Sequence, residues 1–302
     1  MTESNRITHI DPSVDCVAKY LLGTERNTDL LIDFLNAVLF LNGDERVGHV
    51  TITNPFNEKT FLEEKTTALD IRARDQKGHG FHIEVQVITH QDLPQRMVYY
   101  WSSIFSSQLK KAEGYGELKP VISIWVLVDP LFPDDEVVHI PFGWHSKERN
   151  LSLIEEDLIH VLQLRFLPND DTIEKGSDFW TWMKLFRDGA SIDLDNPPGW
   201  AKEEMVMALR EFTQDEKRRS LYFARLDAKR DAIAYHKTTQ KNLQTLKQER
   251  DHEKARADKA EARAGQAEAR AGQAEVRAGQ AEDARKRMED LLRKMGLDPD
   301  QI

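Results

Sequence analysis

The chain has 302 residues, 40% of them hydrophobic, which suffices for one sizeable core or two smaller ones. A single Cys excludes an internal disulfide framework and a multi-cysteine zinc site, and a formal net charge of −10 argues against broad non-specific adhesion to nucleic acid. The same charge is compatible with a site built of carboxylates, because a bound cation offsets part of it.

The opening MTESNRITHIDPSVD has neither the charged nor the apolar region of a signal peptide. The longest apolar run, VISIWVLV at 121–128, is too short to span a bilayer. A soluble chain in a reducing, cytoplasmic compartment, with no membrane partner, is therefore the expectation. Asp11, Pro12 and Ser13 supply N-cap chemistry for a first helix over VDCVAKYLLG, and NTDLLIDFLNAVLFLNG predicts a second. HVTITN at 49–54 alternates as a strand. LDIRARD and FHIEVQV then form two alternating runs around a turn-rich DQKGHG, the pattern of a hairpin. Residues 92–113 begin with a cap and an early Pro and predict a long helix, followed by a strand buried on both faces at KPVISIWVLV. The order α, α, β, β, β, α, β predicts a mixed α/β sheet.

VVHIPF and DLIHVLQLRF read as further strands, and residues 178–189 as an amphipathic helix. Residues 200–235 predict charge-rich helices. The expected division is an α/β core over 1–170, a helical appendix over 171–235, and a tail over 236–302. In the tail AGQAEAR, AGQAEVR and AGQAEDA repeat, so Ala264, Ala267, Ala271, Ala274, Ala278 and Ala281 form a heptad seam that Met288, Leu292 and Met295 continue. Small Ala knobs bury little area, and the Gly in each unit costs roughly 1 kcal/mol relative to Ala. A weak coiled coil, with self-association through the tail, and a solvated single helix or disorder are both open readings.

Alternate residues of a strand share a face. Asp70, Arg72 and Arg74 therefore point one way, and His82, Glu84 and Gln86 join them on the return strand. With the turn centred near Lys77, Asp70 lies across from Glu84. Opposed carboxylates with Cβ atoms roughly 5 Å apart repel one another. A divalent cation turns that repulsion into ligation, and Mg²⁺ takes one or two carboxylates while keeping several waters. Such a metal activates water and stabilises charge on a phosphodiester oxygen. Periodicity alone equally allows three polar residues facing solvent.

The pattern of Asp70 followed by Glu84-Val85-Gln86 resembles the PD-(D/E)XK nuclease signature, in the form used by the Rpn family of recombination-promoting nucleases and transposases. DPSVDCVAKYLLG, the hairpin, LPQRMVYYWSSIFSSQLKKAEGYGELKPVISIWVL and DLIHVLQLRF also resemble that family, so the likeness runs from about residue 10 to 235. It implies a restriction-endonuclease-like core that cuts DNA with Mg²⁺ (or Mn²⁺ as substitute). It further implies Asp70 and Glu84 as metal ligands, the Val85 carbonyl as a third, and Gln86 in the place of the superfamily's lysine. Gln orients a water or phosphate oxygen but supplies no charge. Arg72, Arg74, Lys19 and Arg96 are the candidate sources of the missing charge, and Asp15 is a candidate accessory ligand. The rival expectation is a degenerate nuclease fold kept as a DNA- or protein-binding assembly module.

Other motifs carry less. His79, His82 and His90 read as surface histidines rather than a zinc site. Residues 114–116, GYG, follow a helix and precede a strand, the reverse of a phosphate loop. Tyr99, Tyr100 and Trp101 are candidates for base stacking or for the core, and Lys110 and Lys111 for phosphate contact. Cys16 reads as packed.

Overall fold

The computed structural model describes residues 7–54, 70–109, 113–146, 148–149, 151–154, 158–168 and 177–295. Leu69, Lys110 and Lys111, which enter the sequence reading, lie outside the described residues. The chain divides into two compact units at His236 and Lys237.

The first unit is built on a six-stranded mixed sheet. Its strands are β1 (Val50–Ile52), β2 (Ile71–Asp75), β3 (Gly80–Gln86), β4 (Val121–Leu127), β5 (His139–Phe142) and β6 (Ile159–Gln163), in the order β1-β2-β3-β4-β6-β5. The first three strands form an antiparallel meander, β4 runs parallel to β3 and β6, and β5 returns antiparallel on the edge. Helices α1 (Asp15–Gly23) and α2 (Thr28–Val38) precede the sheet, and α3 (Leu93–Ser106) makes the crossover from β3 to β4. A parallel pair needs such a crossover, which is why a helix stands between these strands. Helices α4 (Asp178–Asp188) and α5 (Glu203–Gln214) follow the sheet, and α6 begins at Glu216. Among the described residues no helix is long and apolar enough to cross a membrane.

The continuous apolar run of β4 is explained by its two covered faces. Ile124 and Val126 join the main core with Ile83, Val85, Ile71 and Ala73 of the hairpin and with α1, α2, α4 and α5. Trp125 and Leu127 point the other way and pack with Leu93 and Met97 of α3 and Val161 of β6. Residues 178–222 share the core of the N-terminal helices. Trp182 and Phe186 stand edge-on to Phe34, at 5.2 and 6.2 Å, and Phe212 does so to Tyr20 at 5.2 Å. Asp33 on α2 accepts from Trp182 Nε1 at 2.8 Å and from Lys202 Nζ at 2.6 Å, tying α2 to α4 and to the entry of α5.

Two elements are shorter than their patterns suggest. The helix predicted over 92–113 ends at Ser106. Its C-terminal serines donate back to its own carbonyls, Ser106 Oγ to Ser103 O and Ser107 Oγ to Ile104 O, as Ser102 does to Tyr99 O within the helix. The strand predicted in DLIHVLQLRF ends at Gln163 and passes into a 3₁₀ turn, Leu164–Phe166. The GYG stretch opens a 3₁₀ turn, Tyr115–Glu117.

The second unit is helical from Lys237 to Lys294, the continuation of α6 (Glu216–Lys294). Nearly all of its described side chains are exposed, and the helix runs unbroken through Gly265, Gly272 and Gly279.

Candidate functional site

The turn of the β2–β3 hairpin fixes which residues meet at its open end. Asp75 Oδ1 accepts from the amides of Lys77 at 2.9 Å and His79 at 2.8 Å, and Gly78 takes the left-handed φ of +86° that favours glycine. The resulting pairs are Arg74 with Gly80, Arg72 with His82 and Ile71 with Ile83. Continued by one residue, that register sets Asp70 opposite Glu84. The described part of β2 ends there, while β3 runs on through Glu84, Val85 and Gln86 alongside β4.

His82 and Glu84 face α3 and are not solvent-facing. His82 is fully buried, and the Glu84 side chain is 4% exposed. The expectation of a surface histidine fails here because α3 and Trp125 cover this face of β3. Trp125 Nε1 donates to Ser123 Oγ at 2.8 Å, and Ser123 Oγ lies 2.8 Å from His82 Nδ1. Trp Nε1 is only a donor, so the serine hydroxyl accepts from it, and the direction of its bond with His82 Nδ1 follows the tautomer of the imidazole. His82 Nε2 lies 3.7 Å from Glu84 Oε2. His82 Nε2 is one of two buried side-chain atoms with no hydrogen-bond partner among the described residues; Arg96 Nε is the other. Burial takes the His82 pKa down to about 4, with the charge of Asp70 opposing the fall.

Glu84 Oε1 accepts from Arg96 Nη2 at 2.5 Å and from the Gln86 amide. Arg96 reaches it from α3, its guanidinium 5.5 Å from the Trp125 ring and 5.8 Å from that of Tyr100, which stacks on Trp125. Burial raises the Glu84 pKa. Arg96 counters that rise, and the negative charge of Asp70 adds to it. Asp70 in turn accepts from Arg72 Nε at 2.6 Å, and its side chain is 14% exposed. Asp70, Arg72, Glu84, Gln86 and Arg96 thus form one cluster.

Asp15 and Lys19 belong to a second group, on the α1 side. Asp15 lies 3.6 Å from Arg225 of α6, and burial raises its pKa against the pull of Arg225 and Lys19. Lys19 is itself buried. The two groups meet along a cleft of about 270 Å³ at the C-terminal end of β3, lined by Asp15, Val85, Gln86, His90, Arg225 and Lys229. Glu84 and Asp70 are not in its lining. Arg225 and Lys229 escaped the sequence reading because they lie about 140 residues beyond the hairpin in a helix of ordinary charged appearance; Lys229 Nζ also holds Asp11 Oδ2 at 2.6 Å. A faint signal exists, since Arg225 and Lys229 are four apart and share a helix face.

The remaining candidates separate clearly. Tyr99 is exposed, whereas Trp101 is core, donating from Nε1 to Val121 O at 2.8 Å and stacking on Phe105. Arg74 is exposed and paired across to Thr51. Cys16 is fully buried and its thiol pKa is pushed well up.

Among the described residues no group of three or more His, Cys, Asp or Glu is placed to hold a metal ion. The donors present fit a hard cation that takes two carboxylates and completes its shell with water or a backbone carbonyl. The buried Glu84 carboxyl, with its raised pKa, is the feature that such a cation would relieve.

In comparisons with curated proteins and with solved structures, nothing matches. A family model described as "PD-(D/E)XK nuclease family transposase" matches residues 12–239, which takes in the sheet, the hairpin cluster and the cleft. The chain belongs to the PD-(D/E)XK nuclease family of transposases.

Proposed function

We propose that the protein is a Mg²⁺-dependent DNA endonuclease, with Mn²⁺ as a substitute, and that Asp70 and Glu84 hold its cation with the Val85 carbonyl as a third ligand. The observation that carries this reading is the hairpin register, which brings two acids from neighbouring strands together beside a buried, charge-assisted network. When bound, the cation supplies charge stabilisation at the phosphoryl oxygens and activates water. The chain's own residues do the rest. Arg96, clamped between Glu84 and two aromatic faces, fixes the carboxylate in one rotamer. Gln86 reaches both Glu84 and the cleft, so its amide orients water or a phosphate oxygen there. Arg72 compensates Asp70, and Arg225 and Lys229 line the cleft where a neighbouring phosphate of the DNA would pass. Asp15 lines the cleft from α1, and the charge of Lys19 one turn on along that helix acts on it.

One observation favours a second reading, a binding or assembly module without catalysis. Arg96 and Gln86 both engage Glu84 Oε1, so the carboxylate has hydrogen-bond partners, one of them charged, without any metal ion. Nicking of supercoiled plasmid separates the two. The nuclease reading expects Mg²⁺- or Mn²⁺-dependent nicking that Asp70→Ala and Glu84→Ala each abolish. Cleavage by either variant at the wild-type rate removes the assignment.

A further inference from the structure

The heptad register of α6 extends well beyond the alanine repeats. With Leu243 at position a and Leu246 at d, the later a and d positions fall on the alanines from Ala257 to Ala281 and then on Met288, Leu292 and Met295. Arg250, Glu253 and Arg285 interrupt the seam and lower its stability. Gly265, Gly272 and Gly279 all take position b, away from the seam, and the helix passes through them without a break. Leu243, Leu246, Met288 and Met295 are exposed large hydrophobics.

The flanking charges identify what covers this face. Position g carries Arg256, Arg263, Arg270 and Arg277. Position e carries Glu261, Glu268, Glu275 and Glu282. In a parallel, in-register pair each g residue meets the e residue of the partner's next heptad, so every one of these arginines faces a glutamate. One heptad earlier the signs invert together, Glu249 at g and Lys254 at e, and the match is kept. An antiparallel pair instead sets g against g and e against e, which opposes Arg to Arg and Glu to Glu across the repeats.

Within a single helix Arg256 and Glu282 each have an opposite charge in reach, Glu253 and Lys286, but the charges between them do not. Neighbours on a helix surface lie three or four residues apart. At those spacings Arg263, Glu268, Arg270, Glu275 and Arg277 meet only Ala, Gly, Gln or, for Arg263, the like charge of Lys259. By contrast, the flanking Lys286 pairs with Glu282 and Arg285 with Glu289 within the helix. The repeats therefore place their charges for a neighbouring helix of the same sequence.

We propose that two copies of this chain pair through residues 243–294 of α6 as a parallel, in-register coiled coil. This assembly stands apart from the nuclease reading, and its test reads mass and orientation, not activity.

Sedimentation equilibrium of the full chain at micromolar concentration is expected to return twice the 34.9 kDa chain mass. Glu261→Arg, Glu268→Arg and Glu275→Arg combined set arginine against arginine and shift the mass to that of one chain. Arg256→Glu, Arg263→Glu and Arg270→Glu combined do the same with glutamates. An equimolar mixture of the two variants restores the double mass, which shows that neither had simply unfolded. For orientation, Ala257→Cys on the wild-type background is expected to cross-link to its own counterpart on oxidation, with Cys16 too buried to compete. A single-chain or triple mass for the wild type, a mass indifferent to both charge sets, a mixture that stays at single mass, or a pair that fails to cross-link at position 257 overturns the proposal.

Discussion

Glu84 sits where a carboxylate is uncomfortable, buried and close to a second acid, and its neighbours are arranged to keep it charged. Arg96→Met keeps the aliphatic contact with Trp125 and Tyr100 but removes the guanidinium. A hydrogen bond to a charged group contributes roughly 1.5–3 kcal/mol, so the urea midpoint should fall by that amount of stability. Added Mg²⁺ should recover more stability in this variant than in wild type, because the cation replaces the missing charge. A second residue-scale prediction concerns His139, whose Nε2 lies 2.9 Å from His160 Nδ1 and which packs against Phe40 and Phe179. Burial and the facing His160 lower its pKa to about 4. Below pH 6.5 the unfolded chain binds a proton that the folded state refuses, so this contribution is complete above that pH and is lost as the pH falls toward 4. The melting temperature of wild type should drop more between pH 7 and pH 5 than that of His139→Gln. Much of the hairpin register is legible in the sequence, since a Lys77-centred turn and strict alternation predict the pairs of Arg72 with His82 and Arg74 with Gly80. The burial of His82 is not, because it depends on α3 and Trp125, which no local pattern links to that strand.

At the scale of elements, the order and type of the first seven follow from apolar periodicity and turn residues, and the buried run of β4 signals its two covered faces. The ends are where local reading slips. The serines at the end of α3 also suit exposed helix turns, so no local pattern marks its end at Ser106. Equally hidden is the seat of the turn after α4. A Cβ built on Gly189 would come within 2.4 Å of Pro12 Cδ and 2.5 Å of its Cγ. Pro12 is a rigid ring at the entry to α1, so Gly189→Ala must push the α4 terminus away from it. Overpacking of this kind typically costs about 1–3 kcal/mol, and the denaturant midpoint should move down accordingly with the m-value unchanged.

For the whole molecule, the sequence changes composition from about residue 237, becoming polar and charged and then repeating Ala, Glu and Arg within 258–284. The chain's own division into two units falls at the same place. A chain ending at His236 should therefore unfold in one cooperative transition, with a melting temperature within a few degrees of the full chain measured at equal chain concentration. Loss of the transition on truncation would show that the first unit depends on the tail. The chemistry we propose, by contrast, draws on side chains gathered from α1, the hairpin, α3 and α6, and a family likeness directs attention to the hairpin without revealing Arg225 or Lys229. The most direct test of the account is a calorimetric titration of Mn²⁺ into the full chain and into Asp70→Asn and Glu84→Gln, each checked for native circular dichroism. Saturable binding by wild type that disappears in both variants is the predicted result; equal binding by all three proteins, or none by wild type, would contradict it.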